Sequence, residues 1–172
     1  MHHPDLVGTR LGNAAGTYWI RDSGEAAITW VDHSFHHRFD PALPLAHDFL
    51  LEPGTDLEAE ILRTGQVMLE HGMVPSVFFR FPGLVSSRAL FDRVVAHGLV
   101  PIGSDAWLAK GQGPSGGSIV LVHGNGNEPL GVEKFLQLLH AERGNIRDRN
   151  WLLLDLRESV ARIRSDARRP RP

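Results

Sequence analysis

Ala26-Ala-Ile-Thr-Trp-Val-Asp-His-Ser-Phe-His-His37 runs from a short apolar, partly β-branched stretch straight into a polar cluster rich in histidine. Ala26 to Val31 has the composition of a buried strand. The same arrangement recurs along the chain. Ser76 to Phe79 reads as a strand that ends at the turn Arg80-Phe-Pro-Gly83, and Leu99 to Ile102 as one leading to Gly103-Ser-Asp-Ala-Trp107. Ser118 to Val122, the most apolar run, delivers His123, and Trp151 to Leu156 reads as a last strand.

Helical patterns fill the intervals. Thr55-Asp-Leu-Glu58 has the form of a capping box opening a helix with Leu57, Ile61, Met68 and Leu69 on one face, stopped by Gly72. Ser86 or Ser87 can cap a helix whose stripe is Leu90, Phe91, Val94 and Val95, ending at Gly98. A further helix carries Val132, Phe135, Leu136 and Leu139. Alternating strands and helices predict an α/β domain with a mainly parallel sheet or barrel. We divide the chain into an irregular segment 1–25, an α/β domain 26–163 and a basic disordered tail 164–172. There is no internal repeat.

A chain of 172 residues with 42% hydrophobic and 22% charged residues has the length and apolar content of one globular domain. Its net charge of -2 gives no footprint for nucleic acid, and the arginines Arg162, Arg164, Arg168, Arg169 and Arg171 read as a solvated tail. No apolar run approaches membrane-spanning length. With no cysteine, any metal must be held by histidine and carboxylate. Met-His-His-Pro-Asp5 lacks the features of a signal peptide, so the sequence as given predicts a cytoplasmic protein. A signal lost upstream would make it periplasmic or secreted.

In parallel α/β folds ligands gather at the carboxyl ends of strands, and His33/His37, Arg80, Asp105 and His123 each follow a predicted strand. They are therefore expected to line one cleft. His33 and His37 are four apart, so one helical turn would bring both imidazoles to one side, as a zinc-type ion requires. A Ser34 hydroxyl bonded to the local backbone would hold that turn. His36 and Asp32 are further candidates, although an extended strand would point Asp32 away. The alternative for the whole segment is a solvated polar loop.

His33-Ser34-Phe35-His36-His37 resembles the His-Ser/Thr-x-x-His metal motif of the polysaccharide deacetylase family, the NodB-homology domain or carbohydrate esterase family four. Arg80-Phe-Pro82-Gly83 is similar to its Arg-x-Pro motif, Ser104-Asp-Ala-Trp107 to its Asp/Trp motif, and Ile119-Val-Leu-Val-His123 to its Leu-x-His motif. All four occur in the family's order. The resemblance implies an irregular (β/α) barrel, incomplete at its N-terminus, and a metal-dependent hydrolase that removes acetyl groups from N- or O-acetylated polysaccharide. By the same resemblance His33 and His37 would be metal ligands, and His123 the general acid, oriented by Asp105. Trp107, Leu121 and Pro82 would contact substrate, and Arg80 would orient the base. The metal would be zinc, with cobalt or nickel as alternatives.

Two departures qualify this. The family's first motif, Thr-Phe-Asp-Asp, supplies a metal ligand and the base, and nothing before His33 matches it. Either the sequence starts downstream of that strand or the motif has diverged. Such a chain is expected to turn over slowly or not at all, and, without the strand, to fold poorly. A non-catalytic glycan-binding domain of the same fold is the alternative. Asp105 and Trp107 are also separated by Ala106, whereas the family motif usually ends in Asp-Trp. Val120-Leu-Val-His-Gly-Asn-Gly126 also looks like the oxyanion turn of α/β-hydrolases, but Ser159 and Ser165, the serines downstream, have no flanking glycines. Asn125, Asn127 and Glu128 read equally as sugar contacts or as turn and capping residues.

Overall fold

A computed structural model describes residues 29–124 and 126–167. These form two compact units, one of Trp30–Ser104 and one from Asp105 onward together with Thr29.

In the first unit, β1 (Phe78–Phe79) pairs in parallel with β2 (Val100–Pro101), and Phe79 also bridges in parallel to Asp32. Asp32 N–H donates to the Phe78 carbonyl at 2.8 Å, and Arg80 N–H to the Asp32 carbonyl at 2.7 Å. His33 and Arg80 therefore leave adjacent parallel segments at the same, carboxyl end. The expected strand 26–31 falls partly outside the described residues. From Thr29 on, a single bridge at Asp32 is all that pairs.

α1 (Leu57–Glu70) starts one residue later than the capping box predicted. Asp56 accepts Ala59 N–H at 3.1 Å, while the Thr55 hydroxyl is spent on the Glu52 carbonyl at 2.7 Å. α2 (Arg88–Ala96) is capped by Ser87, which accepts Leu90 N–H at 3.2 Å. Ile61, Leu90 and Val94 pack with Leu50, Phe79 and Phe81 into the core. Leu69, Phe91 and Val95 are exposed, so each apolar stripe is narrower than its sequence pattern.

The turn after β1 depends on Gly83. It has φ +61°, and a Cβ there would lie 2.5 Å from the Phe49 ring, where no side chain fits. Phe49 in turn stands edge-on to His37, with ring centroids 6.1 Å apart.

In the second unit β3 (Ala106–Trp107) pairs in parallel with β4 (Val120–Leu121), in the register Ala106 to Val120 and Trp107 to Leu121. α3 (Pro129–Ala141) packs against the turn Leu108–Lys110 at Gly131. A Cβ there would meet Ala109 Cβ at 3.4 Å. Val132 and Leu136 of its predicted apolar face are exposed. A short α4 (Arg143–Arg147) follows.

Trp151 to Leu156 is not a strand. No partner pairs with it among the described residues, Leu152 and Leu153 are exposed, and α5 begins at Leu156 and runs to Ala167. The reason is Asp155, whose carboxylate accepts Glu158 N–H at 2.8 Å and whose carbonyl accepts Ser159 N–H, turning the chain into helix. α5 continues into the stretch read as a tail. Strand and helix alternate only as far as β2: β3 and β4 follow with no α-helix between them, and α3, α4 and α5 come in succession. Both strand pairings are parallel, and no closed barrel is seen among the described residues. No helix among them is long and apolar enough to cross a membrane.

Candidate active site

The turn after Asp32 brings His33 and His37 together. Their Nε2 atoms are 3.2 Å apart and their ring centroids 4.7 Å. Two nitrogens bound tetrahedrally to one zinc ion, each ~2.0–2.1 Å from it, lie about 3.3–3.4 Å apart. The pair therefore already has a chelating separation. Ser34 and His37 both take left-handed backbone conformations, with φ of 66° and 48°, and the Ser34 hydroxyl accepts His37 N–H at 3.2 Å.

Arg80 acts on this pair through its backbone. His33 Nδ1 lies 2.8 Å from the Arg80 carbonyl, which can only accept, so Nδ1 carries the proton. In the neutral ring Nε2 is then the lone-pair nitrogen that a metal needs. The Arg80 guanidinium donates to the Gly103 carbonyl at 3.3 Å, and burial lowers its pKa. Pro82, an expected substrate contact, is fully buried in the adjoining turn.

Asp32 is buried at 7% exposure and its Oδ1 has no hydrogen-bond partner. Desolvation raises its pKa from the usual 3.8 to about 6, against the opposing effect of hydrogen bonds from Thr64 and the His33 and Ser34 backbone. Because the folded state favours the protonated acid, this contribution is complete below about pH 4 and is lost as pH rises through 6. The shift corresponds to roughly 3 kcal/mol. In chelator, Asp32→Asn is expected to equal the wild type in stability at pH 4 and to exceed it by up to about that amount at pH 8. Urea denaturation across that range checks this, and a difference that does not change with pH would refute it.

The second unit holds a separate group. His123 Nδ1 lies 2.5 Å from Glu128 Oε2, and the same oxygen accepts Trp107 Nε1–H at 2.8 Å. The Trp107 hydrogen bond, then that from His123, lowers the Glu128 pKa. Lys110 Nζ sits 3.5 Å from the centroid of the Trp107 ring, which in turn is tilted against the His123 ring. Leu121, the register partner of Trp107, is buried.

Asp105 is not the partner of His123. It precedes β3, where its carboxylate accepts Ile119 N–H at 2.7 Å. His123 lies four residues further along the neighbouring segment, about 13 Å at ~3.3 Å per residue. Glu128 reaches His123 because the chain reverses beyond Gly124, with Gly126 at φ +86°. It makes no capping bond at the start of α3, where Pro129 occupies the first turn. The glycines around Asn125 were the available sequence signal for that reversal.

His33 and His37 fit two ligand positions of a divalent cation. No group of three or more His, Cys, Asp or Glu side chains suited to a metal is present among the described residues. No protein-family model matches the sequence. Among solved structures, a family 4 carbohydrate esterase from Streptomyces lividans in complex with acetate is similar, with a TM-score of 0.50 and 18% identity over 78% of this chain and 72% of that one. The fold is similar to that of this esterase.

Proposed function

We propose that this chain is a metal-dependent hydrolase that removes acetyl groups from N- or O-acetylated polysaccharide. The observation that carries it is the approach of His33 and His37 to 3.2 Å, with His33 oriented by the Arg80 carbonyl. The similarity of fold to the carbohydrate esterase adds support.

In this proposal His33 and His37 hold the cation, zinc, cobalt or nickel, through their Nε2 atoms. When bound, the metal polarises the acetyl carbonyl and the attacking water. His123 protonates the leaving amine or hydroxyl from Nε2, because Nδ1 is occupied by Glu128. Glu128 orients that ring through Nδ1. Trp107 and Leu121 line the acetyl subsite, and Asp105 supports the backbone at Ile119.

The test is acetate release from acetylated xylan and from N-acetylchitooligosaccharides by the purified chain, with each metal and with chelator. Slow release that chelator abolishes is expected. Release indifferent to chelator, or none with any metal and substrate, would overturn the proposal. A second reading, a glycan-binding domain without turnover, is favoured by the lack of a third clustered ligand among the described residues. Glycan binding with no acetate release would establish it.

A further inference from the structure

Three of the five residues in His33-Ser-Phe-His-His37 are histidines, so spacing alone lets either His36 or His37 pair with His33. We infer that Glu60 is a positioning residue that makes this choice, committing His36 to anchor the turn and leaving His37 to complete the metal pair. The inference rests on the proposed metal role of that pair.

Glu60 lies in the first turn of α1 and is buried, with 4% exposure. Its Oε2 accepts His36 N–H at 3.0 Å, and its Oε1 lies 2.5 Å from His36 Nδ1. Its backbone carbonyl accepts Phe35 N–H at 3.1 Å. One residue thus holds two successive residues of the turn by three hydrogen bonds. A helical turn further on, the Thr64 hydroxyl donates to the Ser34 carbonyl at 3.4 Å, and Arg63 stacks over the Phe35 ring. Glu60, Arg63 and Thr64 are spaced i, i+3 and i+4, so they share one face of α1, and the turn is laid along it.

The pinned centre governs both ends. His33 is held by the Arg80 carbonyl, while the backbone of His37 is held by the Ser34 hydroxyl inside the turn itself. With Glu60 removed, His36 loses both of its hydrogen bonds to the Glu60 carboxylate and keeps its edge contact with the Phe35 ring, and the 3.2 Å approach of the two Nε2 atoms depends on a turn with left-handed residues at both Ser34 and His37. Partners that orient metal ligands typically change affinity by ~10–100-fold.

The experiment measures zinc affinity of the full chain by competition with a chromophoric chelator, together with the cobalt(II) absorption spectrum. Neither readout requires turnover. Glu60→Ala is expected to weaken zinc binding roughly 10–100-fold, and Glu60→Gln, which keeps one acceptor oxygen, to fall between it and the wild type. In the Glu60→Ala background, His37→Ala is expected to cost less than in the wild type, because the released His36 substitutes for it. Should Glu60→Ala fail to unfold cooperatively, Glu60→Gln and His36→Ala carry the test, each expected to weaken zinc binding. Wild-type zinc binding with unchanged affinity in the folded variants would overturn the inference alone. A wild-type chain that binds neither zinc nor cobalt would overturn the metal reading and this inference with it.

Discussion

His123→Ala is expected to lower acetate release from glycan substrates by about 10²–10⁴-fold, the usual worth of a general acid, while leaving zinc affinity unchanged. The basis is the arrangement at its ring. Nδ1 is engaged by Glu128 at 2.5 Å, and Trp107 Nε1–H holds the same carboxylate oxygen, so the imidazole is fixed in orientation and presents Nε2 for proton transfer. The leaving group of a glycan is a poor one and needs that proton. An activated ester such as 4-nitrophenyl acetate does not, so the same variant should lose little rate on it. Glu128→Gln is expected to act in the same direction and less strongly, since the amide oxygen can still accept one of the two hydrogen bonds that orient the Trp107 and His123 rings. Equal losses on both substrates would assign His123 to the structure of the unit, not to proton donation.

His33→Ala is expected to weaken zinc binding by more than about 100-fold, beyond the range of an orienting partner, and to remove chelator-sensitive acetate release. His37→Ala should act in the same sense but less severely. The two histidines converge at Nε2, yet their supports differ. His33 is locked in the metal-ready tautomer by the Arg80 carbonyl, whereas the backbone at His37 is held by a serine in its own turn. Isothermal titration or chelator competition checks the order. If His33→Ala bound zinc as tightly as the wild type, the pair would not be the metal site.

Much of the local structure was legible in the residues. Ser87 and Gly98 bound one helix because a hydroxyl cap and a left-handed glycine act within a few residues of themselves. The Ser34 hydroxyl bond to the backbone is likewise local and forms as expected, but the segment is a bend with left-handed Ser34 and His37, not the helical turn that the four-residue spacing predicted. The alternation of strand and helix predicted parallel pairing, and both strand pairs are parallel.

Other features are decided by groups distant in sequence. Burial of Phe91 or Leu69 depends on what packs beside the helix, which a periodic pattern does not specify. Trp151 to Leu154 has strand composition, but a strand needs a partner, and the Asp155 cap prevails. The partner of His123 depends on strand register, which aligns Asp105 with Ile119, and on a chain reversal that returns Glu128. The raised pKa of Asp32 arises from its burial, and the grip of Glu60 on His36 from the turn lying along α1. Sequence by itself determined which side chains can do chemistry and which turns carry them, because caps, glycines and spacing act locally. Only the tertiary structure decided how those groups pair, because hydrogen-bond partners and desolvation are set by neighbours brought together from across the chain.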